Sequence, residues 1–289
     1  MDKTATLENE IALRTQKVNQ FVEQYFLAME LPKIDSILEL RNSMSYSANN
    51  GGKRFRPVLA LLIAELFQVP HEKVMPFAAA VEMIHTYSLI HDDLPCMDND
   101  DVRRGKPTNH KVYGEDFALL AGDALLTESF LALANAYGDS SKVFPELIKL
   151  LSDAAGIRGM VGGQAIDLRA GRKQMTLAEL TELHRLKTGA LIRVSVEGAA
   201  LISGANRDQT QNLRKFGEGL GLAFQVADDI LDHGEKDQDF RSFTGLLGFN
   251  ETKVYLGNLS KMISDLLHTV TDQSTLLEYL VWFNQNRSV

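Results

Sequence analysis

Between Leu89 and Gly105 the chain reads LIHDDLPCMDNDDVRRG, with Asp92, Asp93, Asp98, Asp100 and Asp101 inside ten positions and two arginines directly behind them. A second acidic group, FQVADDILD, carries Asp228, Asp229 and Asp232. Two unit charges about 4 Å apart repel by roughly 4 kcal/mol at an effective dielectric near 20. Such clusters either lie on a solvated face, as most charge runs do, or hold a cation. Mg2+ suits them, because it is bound by one or two carboxylates together with substrate phosphate oxygens. A thiolate zinc cage is excluded by the single cysteine, Cys96, and the spacing of His71, His85, His91 and His110 supplies no paired helical ligands. Neither acidic cluster has the spacing or the glycine of an EF-hand.

Three basic stretches accompany the acids: GGKRFRP with Lys53, Arg54 and Arg56, DVRRGKPT with Arg103, Arg104 and Lys106, and HRLKTG with Lys187 and Thr188. Each alone reads as an exposed loop. Together, in an acidic protein, they point to anion sites beside metal sites, and diphosphate is the ligand that needs both.

These residues must be positioned by helices. Ala, Leu and Glu dominate, no segment alternates with period two for long, and no βαβ rhythm appears, so the expected class is all-α. Stops are expected at Pro32, Asn49 to Gly52, Val69-Pro70, Pro95, Pro107, the YGDSS after Tyr137, and Gly171. Thr176 with Glu179 reads as a capping box that opens a helix running through Leu177, Leu180, Leu183 and Leu186 to Ala190, Leu191 and Val194. Gln225, Asp228, Asp229 and Asp232 fall within an arc of about 100° on one helix face, and His85, Ser88 and Asp92 share another. Asp92 and Asp98, by contrast, are about 240° out of phase on a continuous helix. Pro95 must therefore break the helix and let the chain turn Asp98 back.

Composition bounds the rest. With 289 residues, 45% of them hydrophobic, the chain can bury a large core, and with no fixed-period repeat or low-complexity linker one domain over residues 1–289 is the simplest expectation. A net charge of -8 argues against a nucleic-acid binder. The polar, acidic N-terminus has no secretory h-region, and the apolar run from Pro57 meets Glu65 after about eight residues, short of the ~20 needed to span a bilayer. No membrane insertion and a cytoplasmic location are expected.

The stretches GGKRFRP, EMIHTYSLIHDDLPCMDNDDVRRGKPTNH, AGDALL, GGQAIDL, HRLKTGALI and FQVADDILD, covering Gly51 to Asp232, resemble the trans-polyprenyl diphosphate synthases, and among them the bacterial farnesyl diphosphate synthases and their geranylgeranyl-forming relatives. The resemblance implies a helical bundle of the isoprenoid synthase type, usually a homodimer, with a deep central cavity and three Mg2+ ions. It implies Asp92, Asp98 and Asp228 as metal ligands, with Asp93 and Asp232 in support. Arg103, Lys187, Thr188 and Gln225 would hold an allylic diphosphate, and Lys53, Arg56, His85 and Arg104 would hold isopentenyl diphosphate. Catalysis would rest on Asp92, Asp98, Lys187 and Asp228. Tyr87, five residues before Asp92, would limit product length at farnesyl diphosphate, whereas the helical wheel alone favours Ser88.

One stretch departs from the family pattern. After the second acidic motif the sequence reads DHGEKDQDFRSFTGLLG, about a dozen residues shorter than expected, with only Lys236 and Arg241 in place of two family lysines. Arg241 is the better stand-in for the second, although Arg and Lys differ at phosphate sites. The short loop leaves two readings, an active enzyme with a shortened lid or a noncatalytic partner of another prenyl synthase, and the alternative on product is a geranylgeranyl diphosphate synthase. A terpene cyclase or head-to-head condensing enzyme would have no use for the isopentenyl diphosphate set at Lys53, Arg56 and His85.

Overall fold

The computed structural model describes residues 3–171, 174–233, 241–271 and 275–286. It is all-α apart from one two-residue hairpin, and its residues form two compact units, Met1–Leu61 with His71–Ile148, and Leu62–Pro70 with Lys149–Val289.

The first unit contains α1 (Lys3–Leu27), α2 (Asp35–Ala48), most of α3 (Phe55–Leu66) and α4 (His71–Asp92). It continues with β1 (Val102–Arg103), β2 (Lys106–Pro107), α5 (Asn109–Tyr113), α6 (Glu115–Tyr137) and the start of α7 (Val143–Ala155). α4 is its axis. Val74, Phe77, Val81, Met83 and Ile84 are all but inaccessible, as are Val18 and Val22 on α1 and Leu125 and Leu133 on α6. Each such side chain contributes about 1.5–3 kcal/mol by leaving water. Asn109 ties α5 to α2, donating to the Ser43 carbonyl (2.9 Å) and the Ser47 hydroxyl (2.8 Å) while accepting from Ser43 Oγ (2.8 Å).

The second unit holds α8 (Met160–Ala170), α9 (Leu177–His184), a π-turn at Arg185–Gly189, α10 (Ala190–Ile202), α11 (Arg207–Leu231), α12 (Phe243–Leu247), α13 (Phe249–His268) and α14 (Thr275–Asn286). Its core joins Leu180 and Leu183 to Leu191, Val194, Leu213, Phe216, Leu220, Ile263 and Leu267.

Every expected stop falls between helices. The Thr176–Glu179 capping box is present in both directions. Three features differ from expectation. The helix expected to continue past Leu186 is interrupted by the π-turn. A hairpin forms where no strand was foreseen, because Arg104 (φ 53°) and Gly105 (φ 76°) both adopt the left-handed conformation that a tight two-residue turn requires. Counting uninterrupted apolar runs also overlooked α6, which is long and apolar enough to cross a membrane, with mean hydropathy 1.6 over its most apolar window. Its inner face carries the buried Leu125 and Leu133, while Leu119, Leu120 and Leu131 are about half exposed.

Replacing Thr176 with Ala removes the oxygen that accepts the Glu179 N–H and should cost about 1 kcal/mol, read as a lowered urea midpoint with an unchanged slope.

Candidate active site

In the first unit α4 ends at Asp92, and the next six residues fold back so that the Asp98 N–H donates to the Asp92 carbonyl (2.8 Å). The expected break thus brings the two carboxylate-bearing residues into one turn. Asp93 points elsewhere. It is buried, and its Oδ1 accepts from Arg103 Nε at 2.7 Å and lies 2.6 Å from Nη2. Burial raises the Asp93 carboxyl, the Arg103 bond opposes that shift, and the same bond raises Arg103. Asp100 also pairs with Arg103 (3.2 Å). Asp101 pairs with Lys111 at 2.7 Å.

The hairpin presents Arg103 and Arg104. Arg104 donates to the Gly51 carbonyl (2.6 Å), and its guanidinium occupies the place a Cβ on Gly52 would take, so the second glycine of GGKRFRP is needed for close approach. Within that motif the three cations divide. Lys53 is exposed. Arg54 is 3% exposed and donates to Glu82 Oε1 (2.7 Å), Asn19 Oδ1 (2.7 Å) and the Ala48 carbonyl (2.5 Å). It is a structural clamp. Arg56 is half-buried with its Nε unpartnered, and burial together with the Arg104 charge lowers it to about 10, against the pull of Glu82. His85 is pushed well below the usual histidine range by burial and then by Arg56, Arg104, Arg54 and Arg103. Arg54, Arg56 and Arg104 share one buried carboxylate, Glu82, while Arg103 is taken by Asp93, so positive charge is in excess around His85.

Tyr87 is buried in α4 with its ring edge-on to His91 (centroids 5.7 Å), and burial, then the Asp92 charge, pushes its hydroxyl up to about 12. Ser88 is half-buried on the side of α4 that also carries His85 and Asp92, and its hydroxyl is turned to the His85 carbonyl (2.9 Å).

In the second unit the π-turn carries Lys187 and Thr188. Lys187 Nζ meets Asp167 Oδ2 on α8 at 2.5 Å. Thr188 Oγ1 donates to Gln225 Oε1 (3.2 Å), whose Nε2 donates to Asp228 Oδ2 (3.1 Å). A Cβ on Gly163 would collide with the Lys187 backbone, so this glycine lets α8 approach the turn. Asp229 leaves the expected acidic stripe. Its carboxylate accepts the Phe243 N–H (2.6 Å), anchoring the segment that begins at Arg241. Asp232 caps α11, its N–H donating to the Asp228 carbonyl (2.9 Å). Ser242 caps α12 by accepting the Gly245 N–H (3.0 Å). Lys236 lies outside the described residues.

Sequence reading gave no role to Asp167, Glu82 or His184. Asp167 was legible as the acid of GGQAIDL. Glu82 and His184 carried no signal beyond a polar residue in an apolar helix.

The donors fit Mg2+. They are carboxylate oxygens presented one or two at a time, and among the described residues no group of three or more Asp, Glu, His or Cys forms a ready cage. An ion that keeps water and takes phosphate oxygens needs no such cage.

A helical chain that carries two carboxylate motifs and several groups of cations has the chemistry of a diphosphate-handling class, and the comparisons show the family. Residues 38–242 match the polyprenyl synthetase family model, and the chain belongs to that family. It is 48% identical over 225 residues to a farnesyl diphosphate synthase of Geobacillus stearothermophilus, covering 74% of this chain and 75% of that one. A chloroplastic geranylgeranyl pyrophosphate synthase of Catharanthus roseus is 42% identical over 268 residues, covering 88% and 73%. The crystal structure of an apo FPP/GFPP synthase from Zymomonas mobilis superposes with a TM-score of 0.88 at 36% identity, covering 97% of this chain and 99% of that one.

His184, stacked on Phe243 (5.6 Å), is lowered to about 4 by burial, which Asp167 and Gln225 offset only in part. Unfolding lets it bind a proton below about pH 6.5, so its stabilising effect is full above that value and lost as pH falls toward 4. Between pH 7.5 and pH 5 it should account for about 2 kcal/mol of lost stability. His184→Phe, which keeps the stack, should flatten the pH dependence of the urea midpoint by that amount.

Proposed function

We infer that this chain is a prenyltransferase that condenses isopentenyl diphosphate head-to-tail with dimethylallyl and then geranyl diphosphate, giving mainly farnesyl diphosphate. The observation that carries the reading is the pairing, in one chain of this family, of a carboxylate turn at Asp92 and Asp98 with an independent set of cations around His85. A cyclase needs the first alone. A synthase joining two diphosphates needs both.

In the first unit Lys53, Arg56 and Arg104, with a neutral His85, bind isopentenyl diphosphate. Arg103, braced by Asp93, belongs with Lys187, Thr188 and Gln225 as donors to the allylic diphosphate. Asp92, Asp98 and Asp228 would hold Mg2+, with Asp93 and Asp232 in support. Prenyl synthases generally depend on Mg2+, and three ions per site is the number we propose. When bound, Mg2+ supplies positive charge that offsets the charge developing on departing diphosphate.

The chain's own part is electrostatic and steric. Fixed cations stabilise the leaving group as the allylic carbon–oxygen bond breaks. The double bond of isopentenyl diphosphate then forms the new carbon–carbon bond, and the proton lost leaves with released diphosphate, so no side-chain base is required. Apolar walls keep water from the cation. By the same reading residues 1–289 act as one synthase domain, a cytoplasmic homodimer, and the half-exposed leucines of α6 offer apolar surface for the partner copy.

Geranylgeranyl diphosphate is the second reading, favoured by the similarity to plant enzymes bearing that name. Tyr87 weighs against it as the proposed floor below the first motif.

Purified protein with Mg2+, isopentenyl diphosphate and geranyl diphosphate should yield farnesyl diphosphate on chromatography. Activity only after adding another synthase would instead support a partner role. Lys187→Ala should lower kcat by roughly 10²–10³-fold, in line with removal of a preorganised charge donor. Tyr87→Ala should shift the product toward geranylgeranyl diphosphate.

A further inference from the structure

We propose that His91 is a positioning residue for product length, acting through Tyr87 and held in place from α6. The inference rests on the reading of Tyr87 as the floor. Tyr87 and His91 are one helical turn apart on α4, and the tyrosine ring meets the imidazole edge-on at 5.7 Å, with planes inclined by 73°. The imidazole is itself fixed. Its Nε2 lies 3.0 Å from the Leu119 carbonyl oxygen, which can only accept, so Nε2 carries the proton. Asp123 on the same helix stands 3.9 Å from that nitrogen.

Beneath the ring is Gly122, buried in α6. A Cβ there would fall well inside van der Waals contact of the imidazole, so the absence of a side chain at Gly122 is what admits His91. A chain of contacts therefore runs from the α6 backbone through His91 to the Tyr87 ring. A tyrosine that can swing is a poor floor, because blocking chain growth requires the ring to hold its place against an apolar tail. α6 supplies the missing rigidity.

The test uses full-length protein and the ratio of geranylgeranyl to farnesyl diphosphate formed from geranyl diphosphate, isopentenyl diphosphate and Mg2+. His91→Gln keeps a donor able to reach Leu119 but removes the ring. Gly122→Ala leaves α4 unchanged and displaces the imidazole from the other side. Both variants should raise the ratio by about tenfold, the scale on which small changes in an apolar pocket discriminate. Neither should change it further in a Tyr87→Ala background. A loss of stability or of metal affinity lowers the rate without moving the ratio, so a merely structural role is distinguishable. If Tyr87→Ala lengthens the product while His91→Gln and Gly122→Ala keep the wild-type ratio, the positioning role is overturned. Additive lengthening in the double variants would overturn action through Tyr87. An unchanged product from Tyr87→Ala would remove the floor reading and this inference with it.

Discussion

The ion pair between Arg54 and Glu82 is the constraint on which the first unit's chemistry depends. Both partners are buried, and the guanidinium also satisfies α1 through Asn19 and the end of α2 through the Ala48 carbonyl. Arg54 holds a left-handed backbone (φ 47°) to do this, which only a well-determined environment sustains. Removing one member of such a pair typically costs about 3–5 kcal/mol, since the other is left charged and unpaired. By fixing the loop at its centre, the pair sets where Lys53 and Arg56 emerge on either side. Arg54 also adds to the positive field that keeps His85 neutral. Beside the burial that lowers Arg56 and Arg104, the neighbouring arginines held there lower both.

The two aspartate pairs solve a similar problem in the same way. Asp228 and Asp229 point about 100° apart on α11, and Asp93 follows the last residue of α4, so in each dipeptide the two carboxylates take different partners. Asp92 stays with the turn that recovers Asp98, and Asp93 goes inward to brace Arg103. Asp228 joins Gln225, and Asp229 turns to the Phe243 N–H. The second aspartate of each pair is a fastener. It secures a cationic or loop element that would otherwise be free to drift from the first.

Much of this could be read from residue types and spacing. The helix stops were marked by Pro, Gly and Asn, the capping box by Thr176 and Glu179, and the recovery of Asp98 by Pro95. What escaped depended on contacts remote in sequence. Asp93 and Asp229 look identical to their neighbours until a partner 10 or 14 residues away is known. The burial of Arg54 was hidden because Lys53, Arg54 and Arg56 form one basic run, and only the fold decides which of them goes inward. The π-turn left no mark because its residues suit an ordinary helix equally well.

That turn has a consequence for how the protein can change. It holds one residue more than an α-helical turn would, and Lys187 and Thr188 lie within the surplus. Because the wider turn takes up that residue, deleting one there would restore regular hydrogen bonding with little rotation of α10 relative to α9, but it would remove or displace Lys187 or Thr188. The most regular helix and the aligned Lys187–Asp167 and Thr188–Gln225 contacts are mutually exclusive outcomes for this segment. The fold could lose a residue at this point and keep its helices in register; the contacts of Lys187 and Thr188 could not survive the loss.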